Sequence, residues 1–123
     1  MTPWGAAQHR EKFDTGFNFY STAGHGGICV SKKKAETFLS DAARKVAIRY
    51  GNGHWFEEDC NFAIPLYENT DWLKLFNKNL RKPITVKDLE RMIQQYNEEY
   101  WISRMQEYHE EMKNIGDAYT PNY

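Results

Sequence analysis

The chain has 123 residues, of which 41% are hydrophobic and 27% are charged. This length can bury one hydrophobic core without disulfides or structural metals, so we expect a single domain over residues 1–123. Sixteen basic and seventeen acidic residues give a net charge of −1, which argues against direct binding to nucleic acid. Aromatic residues make up 15% of the chain, which favours a pocket or interface lined by some of them; a core built from large side chains is the alternative.

Two features bear on the location of the protein in the cell. Cys29 and Cys60 could form a disulfide, but the N-terminus does not resemble a signal peptide, so we expect reduced thiols and a cytoplasmic protein. No apolar stretch approaches the roughly 18 residues that a membrane-spanning helix needs. We therefore expect no association with a membrane.

The first part of the chain predicts a β-hairpin. Residues 1–16 mix glycine, proline and polar residues, so we expect an ordered but irregular arm with Trp4 and Phe13 as anchors. Residues 17–20 alternate as a strand does, and residues 28–30 are a short β-favouring run. A hairpin is the simplest way to join the two, and a crossover into a small sheet is the alternative. An α+β core is expected over residues 17–80.

The next segment predicts a helix over roughly residues 32–50. Ser31 suits an N-cap, apolar residues recur on one face, and Gly51 stands where a helix-ending glycine belongs. Lys32 to Lys34, however, place three cations at the positive end of the helix dipole. Solvated lysines on a frayed first turn are the simplest explanation. The alternatives are a helix that begins near Ser40 and lysines that face an anion.

Two shorter helices are predicted in the middle of the chain. Acidic residues are favoured in a first helical turn, which indicates a helix from about Glu57 until Pro65 ends it. A buried strand over residues 60–67 is the alternative, with Pro65 confining it to a sheet edge. Residues 71–76 suit a short helix capped by Thr70.

The C-terminal part predicts a long helix over residues 85–115. Thr85 and Asp88 resemble a capping box, and an apolar series follows, shifted by one residue at Trp101. About 30 residues of helix span roughly 45 Å, whereas a domain of this size is on the order of 35 Å across. The helix therefore overhangs, bends near the shift or packs on a partner, and a broken helix is the alternative. Residues 117–123 are expected to be a loose tail.

The segment Ser21 to Gly27 is the strongest candidate for a site. It surrounds His25 with glycines, which let a ligand or another backbone segment approach closely. Histidine is easily poised for proton transfer or metal binding near neutral pH. Backbone N–H groups of such a loop could also bind an anion, with Lys32 to Lys34 close in sequence. A tight glycine turn without a chemical role is the alternative.

The candidate catalytic residues are His25, Glu58 and Cys60. A hydrolase would need a nucleophile within hydrogen-bond reach of its base, and either Cys60 or a hydroxyl near His25 could serve. A cysteine at a helix start has its thiolate stabilised by the dipole, whereas the three carboxylates before Cys60 raise its pKa.

A divalent ion is the remaining chemical hypothesis. Residues 57–59 are three carboxylates that could join His25 or His54 around such an ion. Their spacing matches no standard metal signature. We therefore predict neither a metal nor a cofactor.

Three blocks of the sequence resemble a known family. They are Thr2 to Gly5 with Gln8 and His9, Ser21 to Gly27, and Trp55 to Cys60 with Ala63 and Ile64. In this order and spacing they resemble an uncharacterised family of small domains, frequent in phages, plasmids and bacterial genomes, whose blocks read TPWG, STASHGG and GWYEEDCxWAI. Gly24, Phe56 and Phe62 depart mildly from that pattern.

The resemblance covers residues 1 to about 65 and implies that the blocks form one site in a protein from a phage or another mobile element. It implies that the site brings together Trp4, His25, Glu57, Glu58, Asp59 and Cys60. The binding residues that we expect are Trp4, Ser21, Gly24, His25, Gly26, Gly27, Trp55, Glu57, Glu58 and Asp59.

We expect an α+β fold, a small antiparallel sheet covered by helices with a long C-terminal helix. The leading hypothesis is a small phage or mobile-element accessory protein that binds another protein, most concretely an inhibitor of a host defence system of the anti-CRISPR or another anti-defence type. We expect it to contact this partner through Tyr96, Tyr100, Trp101, Arg104 and Tyr108. The same helix could form a homo-oligomer.

The alternative is an enzyme or a binder of a small nucleotide-like signal that uses the His25 loop and residues 57–60. Mimicry of nucleic acid by acidic residues is weakened by interspersed Arg and Lys.

Overall fold

The computed structural model describes residues 1–118, with side chains described through Asn114. Within this range the fold is α+β, with a five-stranded antiparallel sheet in the order β1-β2-β3-β5-β4 and six helices. The elements are β1 His9–Asp14, β2 Phe17–Ser21, β3 Gly26–Ser31, α1 Lys32–Phe38, α2 Asp41–Val46, β4 Ile48–Tyr50, β5 Gly53–Glu57, α3 Ala63–Glu68, α4 Thr70–Asn77, α5 Val86–Tyr96 and α6 Glu98–Ala118. The predicted tail begins inside α6, and its residues 119–123 lie outside the described part of the chain.

The predicted hairpin is confirmed as β2 and β3, which pair from Phe17 with Val30 to Ser21 with Gly26. The irregular arm is wrong for residues 9–14, because these form β1 at the edge of the sheet and pair with β2. Five of the six β1 residues are exposed. Charged, exposed residues are typical of an edge strand, and they hide the alternation that would predict it.

The single helix predicted over residues 32–50 is wrong. A helix that begins near Ser40, the alternative, is present as α2, but α1 precedes it. Ser31 does cap α1, but the chain is extended at Leu39, and α2 begins after a second cap at Ser40. Residues 48–50 then form β4. The interruption is held by Glu68, whose carboxylate accepts hydrogen bonds from the Ser40 backbone N–H at 2.7 Å and from its hydroxyl at 2.5 Å. That partner is distant in sequence, so local periodicity does not indicate the break.

The helix predicted from Glu57 is also wrong, and so is the alternative strand over residues 60–67. Glu57 ends β5, a tight turn follows with Asp59 at φ 63°, and α3 then includes Pro65. Proline is tolerated there because the N–H groups of a first helical turn have no intrahelical partner. The helix predicted over residues 71–76 is confirmed as α4, but its cap is Asn69.

The long C-terminal helix is confirmed as α6, but the stretch predicted over residues 85–115 is broken at Asn97. One uninterrupted helix is therefore wrong, and the alternative, a broken helix, is confirmed. The Thr85–Asp88 capping box is present and starts α5. At Asn97 the backbone leaves the helical region, and the side-chain Nδ2 donates to the Cys60 carbonyl at 2.7 Å. α6 then runs for 21 residues, roughly 31 Å.

The core lies between the inner face of the sheet and the helices. It contains Phe17, Ile28, Val30, Ala35, Ala43, Phe56, Ile64, Leu66, Trp72, Leu89, Ile93 and Tyr100. The outer face of the sheet carries Tyr20, Cys29, Trp55 and Tyr50, since strand partners present their side chains on the same face. Trp4 from the N-terminal segment packs edge-on against Trp55, at 5.8 Å between ring centroids.

Candidate functional site

The turn between β2 and β3 fixes the position of His25. The backbone N–H of Thr22 donates to the His25 carbonyl at 2.7 Å, and the N–H of His25 donates to the Thr22 hydroxyl at 3.2 Å. The His25 side chain remains 52% exposed. The glycine-flanked segment thus forms a short turn that presents an imidazole at the end of the sheet.

Trp4 stacks on this imidazole. The ring centroids of Trp4 and His25 are 6.2 Å apart at an interplanar angle of 17°. Thr2 and Gly5 exchange backbone hydrogen bonds of 2.8 and 3.1 Å, which close a tight turn around Trp4. Gly27 lies directly against Trp4, because a Cβ at position 27 would come within 2.4 Å of Cη2 of the indole. The close approach of two sequence blocks therefore requires glycine at position 27.

The acidic block ends β5 beside the same turn. Oε1 of Glu57 lies 3.6 Å from Nδ1 of His25. The backbone N–H of Glu58 donates to the Gly26 carbonyl at 2.8 Å, and a Cβ at position 26 would come within 2.5 Å of Oε2 of Glu58. Asn61 holds the turn after β5, since its Oδ1 accepts from the Glu57 N–H at 2.8 Å.

These segments enclose an open depression of about 320 Å³ at the end of the sheet. It is lined by Ser21, Thr22, Ala23, Gly24, His25, Gly26, Glu57, Glu58 and Asp59. Three of these residues are carboxylates, and His25 is the one lining residue that can carry a positive charge. The depression therefore favours a cation or a hydrogen-bond donor over an anion. Lys32 to Lys34 lie beyond the opposite end of β3, roughly 17 Å along the strand from Gly26, so they do not support anion binding here.

Cys60 is not part of this depression. It lines a separate groove with Asn97, Tyr100 and Ser103. It lies in the turn after β5, three residues before α3 begins at Ala63, and so outside the first helical turn, where a dipole would favour its thiolate. Partial burial and the nearby charge of Glu57 raise the pKa of the Cys60 thiol. The structure thus separates Cys60 from the other candidate catalytic residues, His25 and Glu58.

His54 is also remote from the depression. It lies on the inner face of β5, paired with Val30, and is 3% exposed. Among the described residues, neither of its ring nitrogens has a hydrogen-bond partner. Burial lowers the pKa of His54, and the charges of Arg49 and Arg44 lower it further.

The arrangement limits what chemistry the depression can perform. His25 and Glu57 form an imidazole–carboxylate pair, but none of the described hydrogen bonds joins a hydroxyl or thiol to the His25 ring. In the part of the chain that the structure describes, no three His, Cys, Asp or Glu side chains are grouped so as to hold a metal ion. The depression therefore offers binding groups and a proton-transfer pair.

The C-terminal residues that we expected to contact a partner protein differ in their exposure to solvent. Tyr96 and Tyr108 are 61% and 48% exposed, and Trp101 and Arg104 are half-buried. Tyr100 is 1% exposed, so its expected place on a contact surface is wrong. Its hydroxyl donates to Oε2 of Glu68 at 2.5 Å in the core.

The helices also form a groove of about 490 Å³ that the sequence did not predict. It lies between α3, α5 and α6 and is lined by Tyr67, Glu68, Val86, Glu90, Trp101, Arg104, Met105 and Tyr108. The apolar spacing along residues 101–112 was the available signal, but the walls from α3 and α5 depend on tertiary packing.

None of the helices within residues 1–118 has the length and apolar character needed to cross a membrane.

Comparison with known proteins identifies the family of the chain. No curated protein and no solved structure matches the chain. A family model matches residues 1–118, which spans both the site and the C-terminal helix. This agrees with the expected resemblance to an uncharacterised family of small domains. The chain belongs to the family described as "Domain of unknown function (DUF7007)".

Proposed function

We propose that this protein acts by binding another protein through the surface around Trp4. The Trp4 patch, as we name it, consists of Trp4, Tyr20, His25 and Tyr50 together with the acidic depression beside them. Trp55, which we expected to be a binding residue, is 5% exposed and supports the patch from beneath. The observation that carries the proposal is the stack of Trp4 on His25 at the rim of a depression lined by three carboxylates. Aromatic anchors beside charged groups are typical of the residues that contribute most to protein–protein binding.

The shape of the depression supports a protein partner over a small molecule. Small-molecule sites bury about 70–90% of the ligand surface. This depression is open to solvent and lies next to a half-exposed aromatic face, where Tyr20 packs on Trp55 at 5.1 Å and Tyr50 is 40% exposed. A partner protein can cover both parts at once, which a small ligand cannot do.

The charge of the depression indicates what the partner contributes. The carboxylates of residues 57–59 would pair with a Lys or Arg side chain of the partner. The indole of Trp4, which stacks on His25 beside the depression, offers a cation–π contact. We therefore propose a partner that inserts a basic side chain into the depression.

The concrete form of the proposal is inhibition of a host defence protein, of the anti-CRISPR or another anti-defence type, in the cytoplasm of the host bacterium. It rests on the phage or mobile-element setting that the sequence blocks imply. Stoichiometric inhibition requires a binding surface and no reaction centre, which suits a depression without a nucleophile beside its histidine.

The test is a phage plating assay in bacteria that carry one defence system at a time, with and without this protein. Expression should restore plating against at least one system, and Trp4→Ala or the double variant Glu57→Gln/Glu58→Gln should abolish the effect. The double variant Asp71→Asn/Glu110→Gln is the matched control, because both carboxylates are exposed and lie outside the Trp4 patch. Restored plating that survives the Trp4 and Glu57/Glu58 changes would refute the proposed surface. Failure against every system would refute the anti-defence role.

A second candidate is a binder of a small cationic ligand, or an enzyme that uses His25 and Glu58 on such a ligand. The observation that favours it is the close approach of Glu58 to Gly26 and of Trp4 to Gly27, which places a carboxylate and an indole beside the His25 turn. Calorimetric titration with arginine and spermidine separates the two candidates. Saturable binding that Glu58→Gln abolishes would favour this second function.

A further inference from the structure

An apolar row runs along one side of α6. Trp101, Met105, Tyr108 and Met112 follow one another at intervals of four, three and four residues, which places them on one face of the helix. Tyr108 and Met112 are each 48% exposed, and Ile102 beside the row is 49% exposed. Such spacing is typical of a helix that packs along another helix.

The two ends of this row differ in shape. Its first three members, Trp101, Met105 and Tyr108, border the groove of about 490 Å³ whose other walls include Tyr67 and Val86. Toward its C-terminal end, every described residue from Tyr108 to Asn114 is exposed. One helix therefore presents a groove at one end and an uncovered apolar segment at the other.

We infer that two copies of this chain pair through α6 in antiparallel orientation, each placing its Tyr108–Met112 segment in the groove of the other. A twofold axis makes such contacts reciprocal. When Trp101 lies opposite Met112 of the partner subunit, the same register places Met105 opposite Tyr108 of the partner subunit. Both ends of the row are then covered by one interface. The inference does not depend on the proposed function.

The charges beside the row support the antiparallel orientation. Arg104 and Glu111 lie seven residues apart on the same flank of α6. In an antiparallel pair these flanks face each other, so Arg104 meets Glu111 of the partner subunit on both sides of the axis. Nη1 of Arg104 donates to Glu107 and Glu111 of its own chain at 3.2 and 3.3 Å, whereas Nη2 takes part in none of the described hydrogen bonds.

A parallel pair would lack this complementarity. In a parallel coiled coil each flank residue meets the residue five positions later on the other helix, which places Arg104 beside His109 of the partner subunit. The groove at one end would then face the groove of the second copy, and the exposed segments would face each other. A second copy in antiparallel orientation is thus the occupant that fits both shape and charge.

The first test is the molar mass of the full chain in solution, measured by sedimentation equilibrium over a range of concentrations. The wild-type chain should approach twice its 14.6 kDa monomer mass. Tyr108→Glu with Met112→Glu should weaken association at least tenfold, and Glu110→Gln on another side of α6 should not. Circular dichroism checks that all variants fold. A monomer at every concentration, or a dimer unaffected by the double change, would overturn the inference.

The second test measures orientation with spin labels on Lys113→Cys in a Cys29→Ser/Cys60→Ser background. The antiparallel register separates the two labelled positions by about 20 Å along the helix axis. A parallel pair would leave only the interhelical spacing of roughly 10 Å. A distance near the shorter value would overturn the proposed orientation.

Discussion

The Tyr100 hydroxyl and the Glu68 carboxylate form a hydrogen bond of 2.5 Å that joins α6 to the end of α3. The Glu68 side chain is 5% exposed and accepts two further hydrogen bonds from Ser40. Nε of Arg104 lies 3.7 Å from the same carboxylate. One buried acid thus connects α3, the junction between α1 and α2, and α6.

We predict that Glu68→Ala lowers the free energy of unfolding by about 3 kcal/mol, because it leaves buried donors without an acceptor. Tyr100→Phe should cost about 1 kcal/mol, since Glu68 keeps its other donors. Urea denaturation followed by circular dichroism measures both values. Glu110→Gln is the exposed control and should change little. A Glu68→Ala protein as stable as the control would show that this network does not hold the helices together.

Glycine at position 27 should be required for the docking of Trp4. Gly27→Ala places a Cβ within 2.4 Å of the indole and 2.5 Å of the Phe56 carbonyl, so we expect a loss of about 2 kcal/mol and a shift in tryptophan fluorescence. Gly24→Ala is the matched control in the same turn, because a Cβ there meets nothing within 4 Å. Equal stability of the two variants would contradict the packing of Trp4 on Gly27.

The features that the sequence predicted correctly depend on local signals. The hairpin follows from alternation in residues 17–20, and the start of α5 follows from the Thr85–Asp88 box, whose partners are three residues apart. The helix breaks at Ser40 and Asn97 depend on Glu68 and on the Cys60 carbonyl, which are distant in sequence. No local pattern contains these partners. The three lysines at residues 32–34 and the apolar shift at Trp101 therefore indicated the two breaks only as alternatives.

The same distinction holds for the candidate site. Three sequence blocks indicated that Trp4, His25 and residues 57–59 lie together, and the structure places them around one depression. Cys60 lies elsewhere because the chain turns after Glu57 and Asp59 adopts a left-handed conformation. The acidic run was interpreted as a helix start, which hid this turn.

Stability should fall in mild acid because of His54. Burial lowers its pKa, with Arg49, Arg44 and Lys32 acting in the same direction and Glu36 opposing them. The unfolded chain therefore binds a proton more readily than the folded chain, so the contribution is complete above the ordinary pKa of 6.5 and is lost as the pH falls toward the lowered folded value.

Thermal unfolding measured between pH 7.5 and 5 checks this prediction. His54→Leu should reduce the decrease in stability below pH 6.5, whereas His9→Gln, an exposed control, should retain it. Identical pH profiles for the wild-type and His54→Leu proteins would show that this histidine is not held neutral by the fold.

Cys60 should behave as an ordinary thiol. Its pKa is raised by burial and by the charge of Glu57, so only a small fraction is thiolate at neutral pH. At pH 7 we expect iodoacetamide to modify Cys60 no faster than it modifies the thiol of free glutathione. The rate for Cys60 should rise steeply toward pH 9. Cys29, whose pKa burial raises to about 11, should react more slowly still. Peptide mass spectrometry resolves the two sites. Rapid modification of Cys60 below pH 7 would indicate an activated nucleophile, and Cys60→Ser would then abolish activity in the plating assay instead of leaving it intact.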